Sequence, residues 1–137
     1  MKRYELTEAL NNYLESNWTE TDIAWDGLRY NVSPDTAYIK PFLRMSDSEQ
    51  LEIGGGNTSA LDSEDGVYMI QIFSPVLHGI MRSQITGEKL RELFRRQSPV
   101  NNVTVGNTSY KERGIDQEDE RFYFSILVVN VHNFICS

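Results

Sequence analysis

The chain has 137 residues, one domain's worth, and at that length folding buries roughly two-thirds of the unfolded surface without help from disulfides or metals. Its 20 acidic side chains against 13 basic ones give a formal net charge of −7, which argues against a surface built to hold nucleic acid. The single cysteine, Cys136, excludes an internal disulfide and a cysteine-based metal cluster, and no apolar run suits a signal peptide or a membrane span.

Leu6, Ala9, Leu10 and Tyr13 recur at helical spacing in a stretch free of Gly and Pro, so residues 4–16 are expected to form an amphipathic helix. The following WDGLRYNVSPDTAY, with Gly27 and Pro34, reads as an irregular crossing. YIKPFLRMS then reads as a strand with Ile39, Leu43 and Met45 on one side. Pro41 lacks a backbone donor and suits a sheet edge or bulge. Residues 47–66 are expected to be a long flexible loop carrying Gly54, Gly55 and Gly56.

VYMIQIFS is a strand with Tyr68, Ile70 and Ile72 on one face and Val67, Met69 and Phe73 on the other, and both faces are expected to be covered. In GIMRSQITGEKLRELFRRQ, Ile80, Ser83, Gly87, Leu90 and Phe94 share one helical face. The small residues Ser83 and Gly87 on that stripe let the backbone approach the sheet, at a cost of about 1 kcal/mol of helix propensity for Gly87. VNNVTV and SYKERGI flank Gly106-Asn107, which reads as a tight hairpin turn. RFYFSILVVNVHNF closes the chain, apolar on both faces. Fully extended it would reach about 48 Å, so it either bends or is partly covered from outside the monomer. The order predicts an α+β domain spanning residues 1–137: a mixed, mainly antiparallel sheet with two α-helices packed on one face.

Little chemistry is legible. His78 and His132 lie far apart in sequence, and neither has a carboxylate or a second histidine at ligand spacing. No GxSxG elbow marks a nucleophile. GGGNTSA lacks a P-loop lysine and does not run directly into a helix. Asp62, Glu64 and Asp65, and the run DQEDE at residues 116–120, lack EF-hand spacing and read as solvated loops. These residues suggest no cofactor and no metal site.

From about Ile23 onward the chain resembles the tail terminator proteins of bacteriophages with long non-contractile tails. The likeness rests on IAWDG, a Pro-containing extended segment into PFLRM, the Gly-rich loop, GVYMIQIFSP, the helix with Gly87, Leu90 and Phe94, and the closing FYFSILVVNVHNF. Two departures stand out. SPVLHGI keeps only Pro75 and Gly79 of the family's Pro-x-Gly-x-Gly turn, and Gly87 replaces a more usual alanine, which is expected only to weaken the helix.

The resemblance implies a structural virion protein rather than an enzyme: a hexameric ring that caps the head-proximal end of the tail tube, stops polymerisation and offers a surface for head-tail joining. Its partners would be further copies of itself, the tail tube protein and a head-completion or connector protein, after assembly in the host cytoplasm. Genomic DNA would pass through without specific binding. On this reading Gly54, Gly55, Gly56, Asn57, Asp62 and Asp65 form an assembly loop that orders against a ring neighbour or the tube end, and Asp116, Glu118, Asp119 and Glu120 are candidate lumen acids. The alternatives are another neck component, a tail-completion or head-closure protein, and a small metal-dependent hydrolase or nuclease. Against a nuclease of the PD-(D/E)xK type, Tyr38 stands where the carboxylate two residues before Lys40 would be required.

Overall fold

The structure, a computed structural model, describes residues 3–45, 63–95 and 103–134. Helix α1 (Arg3–Asn17) leads into β1 (Asp22–Ile23), the irregular crossing and β2 (Tyr38–Met45). After them come β3 (Ser63–Pro75), a 3₁₀ turn (Val76–His78), α2 (Ile80–Arg95), β4 (Val103–Ile115) and β5 (Phe122–Phe134). The strands form one sheet in the order β1-β2-β3-β5-β4. Among the described residues only the two-residue β1–β2 contact is parallel, so the sheet is mixed and mainly antiparallel, as expected.

Both helices pack on the same face of this sheet. Leu6, Leu10 and Leu14 of α1, spaced four apart, and Leu90 and Phe94 of α2 close over Ile39, Tyr68, Ile70, Ile72, Leu127, Val129 and Val131, all at most 3 % exposed. The Phe94 ring sits between Tyr13 and Tyr68, with centroids 5.4 and 5.7 Å away, in edge-on and tilted arrangements favoured by the ring quadrupoles. Two hydroxyls tie the helices down: Tyr68 donates to Asn11 Oδ1 and Tyr13 donates to the Leu93 carbonyl.

Beyond the short β1, β2 is an edge of the sheet among the described residues, and Pro41 lies there opposite Ile70, where a missing N–H breaks no second ladder. The length of β5 is taken up inside the sheet. All of its residues from Phe122 to Phe134 pair with β3, from Pro75 back to Ser63. That pairing corrects one expectation, because residues 63–66, assigned from sequence to the loop, belong to β3. Acidic residues extend a strand here since the ladder with β5 satisfies their backbone groups.

A second correction concerns Gly106-Asn107. They do not turn a hairpin; β4 is one continuous strand, and its register with β5 shifts between Val105 and Thr108 and again between Glu112 and Gly114. The two residues form a bulge, held by a 3.0 Å bond from Asn130 Nδ2 to the Asn107 carbonyl. Only at the second irregularity does glycine take a positive φ, 85° at Gly114. A thirteen-residue β5 offers a full-length partner, and one long ladder satisfies more backbone groups than a two-stranded ribbon would. As an edge, β4 is bulged and bears Lys111, Glu112 and Arg113, features that discourage edge-to-edge pairing.

The stripe on α2 is as expected for Ser83, Gly87, Leu90 and Phe94, but the reason for Gly87 differs. A Cβ there would stand 2.6 Å from the Tyr110 ring of β4. Glycine makes room for that ring, so it is a packing requirement and not merely a weakened helix position. The Tyr110 hydroxyl lies 3.2 Å from Ser83 Oγ, which is 2.7 Å from Ser125 Oγ, giving the inner face a small, satisfied polar cluster.

Candidate assembly interface

The opposite face of the sheet is built from the alternate residues of the same strands. The register places them in rows: Phe42, Met69, Val128 and Ser109; Lys40, Gln71, Ile126 and Lys111; Tyr38, Phe73 and Phe124. No helix among the described residues lies over them. Phe42, Val67, Met69, Phe73, Phe124, Ile126 and Val128 are each partly exposed, so of the two faces of β3 expected to be covered, the described residues of one chain fully cover only the helical one. Pattern alone reports that a residue prefers burial, not which molecule supplies the cover.

One end of this outer face is sealed. The crossing folds over it so that Ala24 and Tyr30 pack with Tyr38, Phe73 and Phe122. Tyr38 and Phe73 stack at 4.6 Å, and Phe73 and Phe124 at 5.1 Å. Burial, reinforced by the 2.9 Å hydrogen bond to Asp22, pushes the Tyr30 hydroxyl up to about 12. Burial also raises Tyr38, with Asp116 the next cause.

Beside the sealed end a cleft of about 610 Å³ is lined by Lys40, Gln71, Phe73, Arg113, Ile115, Phe124 and the start of the acidic run, Asp116 to Glu118. The run forms the β4–β5 connection. Asp119 grips Arg121 through two bonds of 2.8 and 2.7 Å, so Asp119 is held below the usual carboxylate range and Arg121 is raised. Asp116 accepts the Glu118 backbone N–H at 3.3 Å. Of the four candidate lumen acids, therefore, Asp119 has its charge matched within the loop, while Asp116, Glu118 and Glu120 form no ion pair among the described residues.

At the other end of the outer face, Asp65 and His132 are register partners and pair side chain to side chain. Sixty-seven residues separate them, so spacing within the sequence could not reveal the contact; only the β3–β5 register does. Gly54, Gly55, Gly56, Asn57 and Asp62 lie outside the described residues, so of the expected assembly loop the structure places Asp65 alone.

A second surface was missed in the sequence. On the helical side, Tyr4, Thr7, Glu8, Asn11, Asn12 and Glu15 of α1 and Trp25, Asp26 and Leu28 of the crossing line an open groove of about 890 Å³. Tyr4 and Leu28 are 65 % and 70 % exposed. The positions 4, 8, 11 and 15 were available as a stripe opposite Leu6, Leu10 and Leu14, but Trp25 and Leu28 join it only through the fold of the crossing.

A family model described as phage tail terminator protein matches residues 5–128. Among curated proteins no sequence matches. A solved structure superimposes with a TM-score of 0.63 at 11 % identity, covering 98 % of this chain and 94 % of the other, a likeness of fold alone.

Proposed function

The chain belongs to the phage tail terminator family, a structural component of the virion tail that contacts other tail or head components, and from that premise we propose that it caps the head-proximal end of the tail tube as a hexameric ring. The ring stops tube polymerisation and presents its free side to a head-completion or connector protein. The observation that carries this reading is the outer sheet face. A chain that leaves Phe42, Val67, Met69, Ile126 and Val128 partly exposed on one face, while drying the other, has surface to bury against another molecule. Cyclic assembly is the usual way for identical subunits to do so.

The acidic balance supports passage of DNA without retention, since holding phosphates requires Lys and Arg to displace counterions. Asp116, Glu118 and Glu120, on an exposed connection, are the acids proposed to face the lumen. The segment around Gly54–Asn57 is proposed to order against the neighbour or the tube end.

The test is electron microscopy of tails assembled with and without the protein. Tubes of uniform length bearing a terminal ring, against overlong uncapped tubes in its absence, are expected. Normal tube length with failure only of head attachment would favour the head-closure alternative. Micromolar binding of duplex DNA with a steep salt dependence would overturn the lumen assignment.

A further inference from the structure

Building on the ring reading, we infer that the outer sheet face of one subunit docks against the α1 groove of the next, making the contact head-to-tail and electrostatically keyed. The two surfaces are apolar with opposite charge. The sheet face carries Lys40, Arg44, Lys111 and Arg113 around its apolar centre, and no carboxylate ion-pairs with any of them among the described residues. In the groove Tyr4, Trp25 and Leu28 supply the apolar contact, and every charged residue of the lining is acidic: Glu8, Glu15 and Asp26, likewise without an ion pair among the described residues.

The spacing agrees. Lys40 and Lys111 stand in one row across the sheet, separated by Gln71 and Ile126, which is about 14 Å at three inter-strand steps. Glu8 and Glu15 are seven residues apart on α1, about 10.5 Å along the axis, a difference the long lysine stems accommodate. Between the lysines, the adjacent row Phe42, Met69 and Val128 offers the apolar strip for Tyr4 and Leu28.

Placement matters as much as charge. The groove opens on the helical layer and the basic face on the sheet layer, so each subunit has one surface of each kind on different sides. A heterologous contact of this kind closes into a ring when its rotation permits. Sheet-to-sheet pairing of two copies would instead set Lys40, Arg44, Lys111 and Arg113 against their own like charges, a repulsive arrangement. Asp116 and Glu118 line the same cleft as Lys40 and Arg113 and lower the positive potential at that end, whereas Arg44 stands toward the opposite end of β2. The chain's own segment 46–62 is a poor occupant of the groove, because it holds Asp47, Glu49, Glu52 and Asp62 and no Lys or Arg.

A charge exchange tests this. The full-length double variant Lys40→Glu/Lys111→Glu, and separately Glu8→Lys/Glu15→Lys, are each expected to associate at least tenfold more weakly in sedimentation and to fail to cap tubes. Thermal melting should show both monomers folded, since all four residues are surface ones. The quadruple variant, with both surfaces reversed, should regain ring formation and yet not co-assemble with the unaltered protein. If the unaltered protein forms rings and groove reversal leaves them intact, or the quadruple variant is not rescued, the head-to-tail pairing is wrong while the ring stands. If the unaltered protein forms no ring on tubes or in solution, the ring reading itself fails.

Discussion

On the helix side of β3 and β5, Tyr68, Ile70, Ile72, Leu127 and Val129 are at most 1 % exposed beneath α1 and α2. One position along each strand, Val67, Met69, Ile126 and Val128 are as apolar in type but only partly covered. The same two strands thus serve two solvents. One face is a core whose cover is encoded in the chain's own helices. The other has a core's composition, with Lys40, Arg44, Lys111 and Arg113 at its flanks and Asp65 and the acidic connection at its ends. Apolar strands without alternation imply two covered faces, but the cover of the second face need not come from the same molecule.

The largest effect expected from this contrast is on stability. Phe94→Ala removes a fully buried ring from between Tyr13 and Tyr68 and is expected to cost about 3–5 kcal/mol in urea unfolding. Ile126→Thr, on the outer face, preserves β-branching and is expected to cost less than about 1 kcal/mol while weakening ring formation severalfold. Equal costs for the two would erase the distinction between the faces.

Two serine substitutions sharpen the picture of the inner face, because the same chemical change is expected to have opposite signs. Ser83→Ala strands Ser125 and Tyr110 hydroxyls that now share it, for a loss of about 1–2 kcal/mol. Ser74 Oγ, buried and without a hydrogen-bond partner among the described residues, gains nothing from its hydroxyl, so Ser74→Ala should raise the urea midpoint.

Gly87→Ala is next in size. Helix propensity would add about 1 kcal/mol, but the new methyl meets the Tyr110 ring at 2.6 Å, and the net result is expected to be a loss of about 1 kcal/mol. In a Tyr110→Ala background the same substitution should become stabilising, and a double-mutant cycle measures the coupling directly. Additive effects would remove Tyr110 as the reason for the glycine.

The smallest effect is alkaline. Tyr30 titrates at 10.0 when unperturbed and at about 12 in the fold, through burial and then Asp22. Above pH 10 the unfolded chain therefore loses this proton first, so stability fully present below pH 10 declines as pH rises toward 12. Tyr30→Phe should flatten that part of the decline, read as the change in urea midpoint between pH 9 and pH 11. Burial also raises Tyr68 well above its ordinary value, so a residual slope should persist in the variant.

Much of the layer architecture was legible in the chain. The four-residue spacing of Leu6, Leu10 and Leu14, the stripe through Ser83, Leu90 and Phe94, and the alternation around Ile70 and Leu127 report local geometry, and local geometry follows from backbone periodicity. The Gly106-Asn107 turn was misread because turn chemistry also suits a bulge, and β5 decides between them by offering a continuous ladder. Of the candidate site residues, the acidic connection was recognised as an exposed acidic loop. The Asp119–Arg121 fork within it depends on side-chain approach that residue type does not encode.

By itself, then, the sequence determined which residues seek burial, where both helices and the cores of the long strands lie, and the acidic charge that disfavours retention of DNA. Only the tertiary structure decided that Tyr110 needs Gly87, that Asp65 meets His132, and that Lys40 and Lys111 share a row facing away from Glu8 and Glu15. The physical reason is range. Periodicity and propensity act over one or two turns of chain, whereas the register between strands distant in sequence, which brings these side chains together, is set by the collective pairing of the whole sheet.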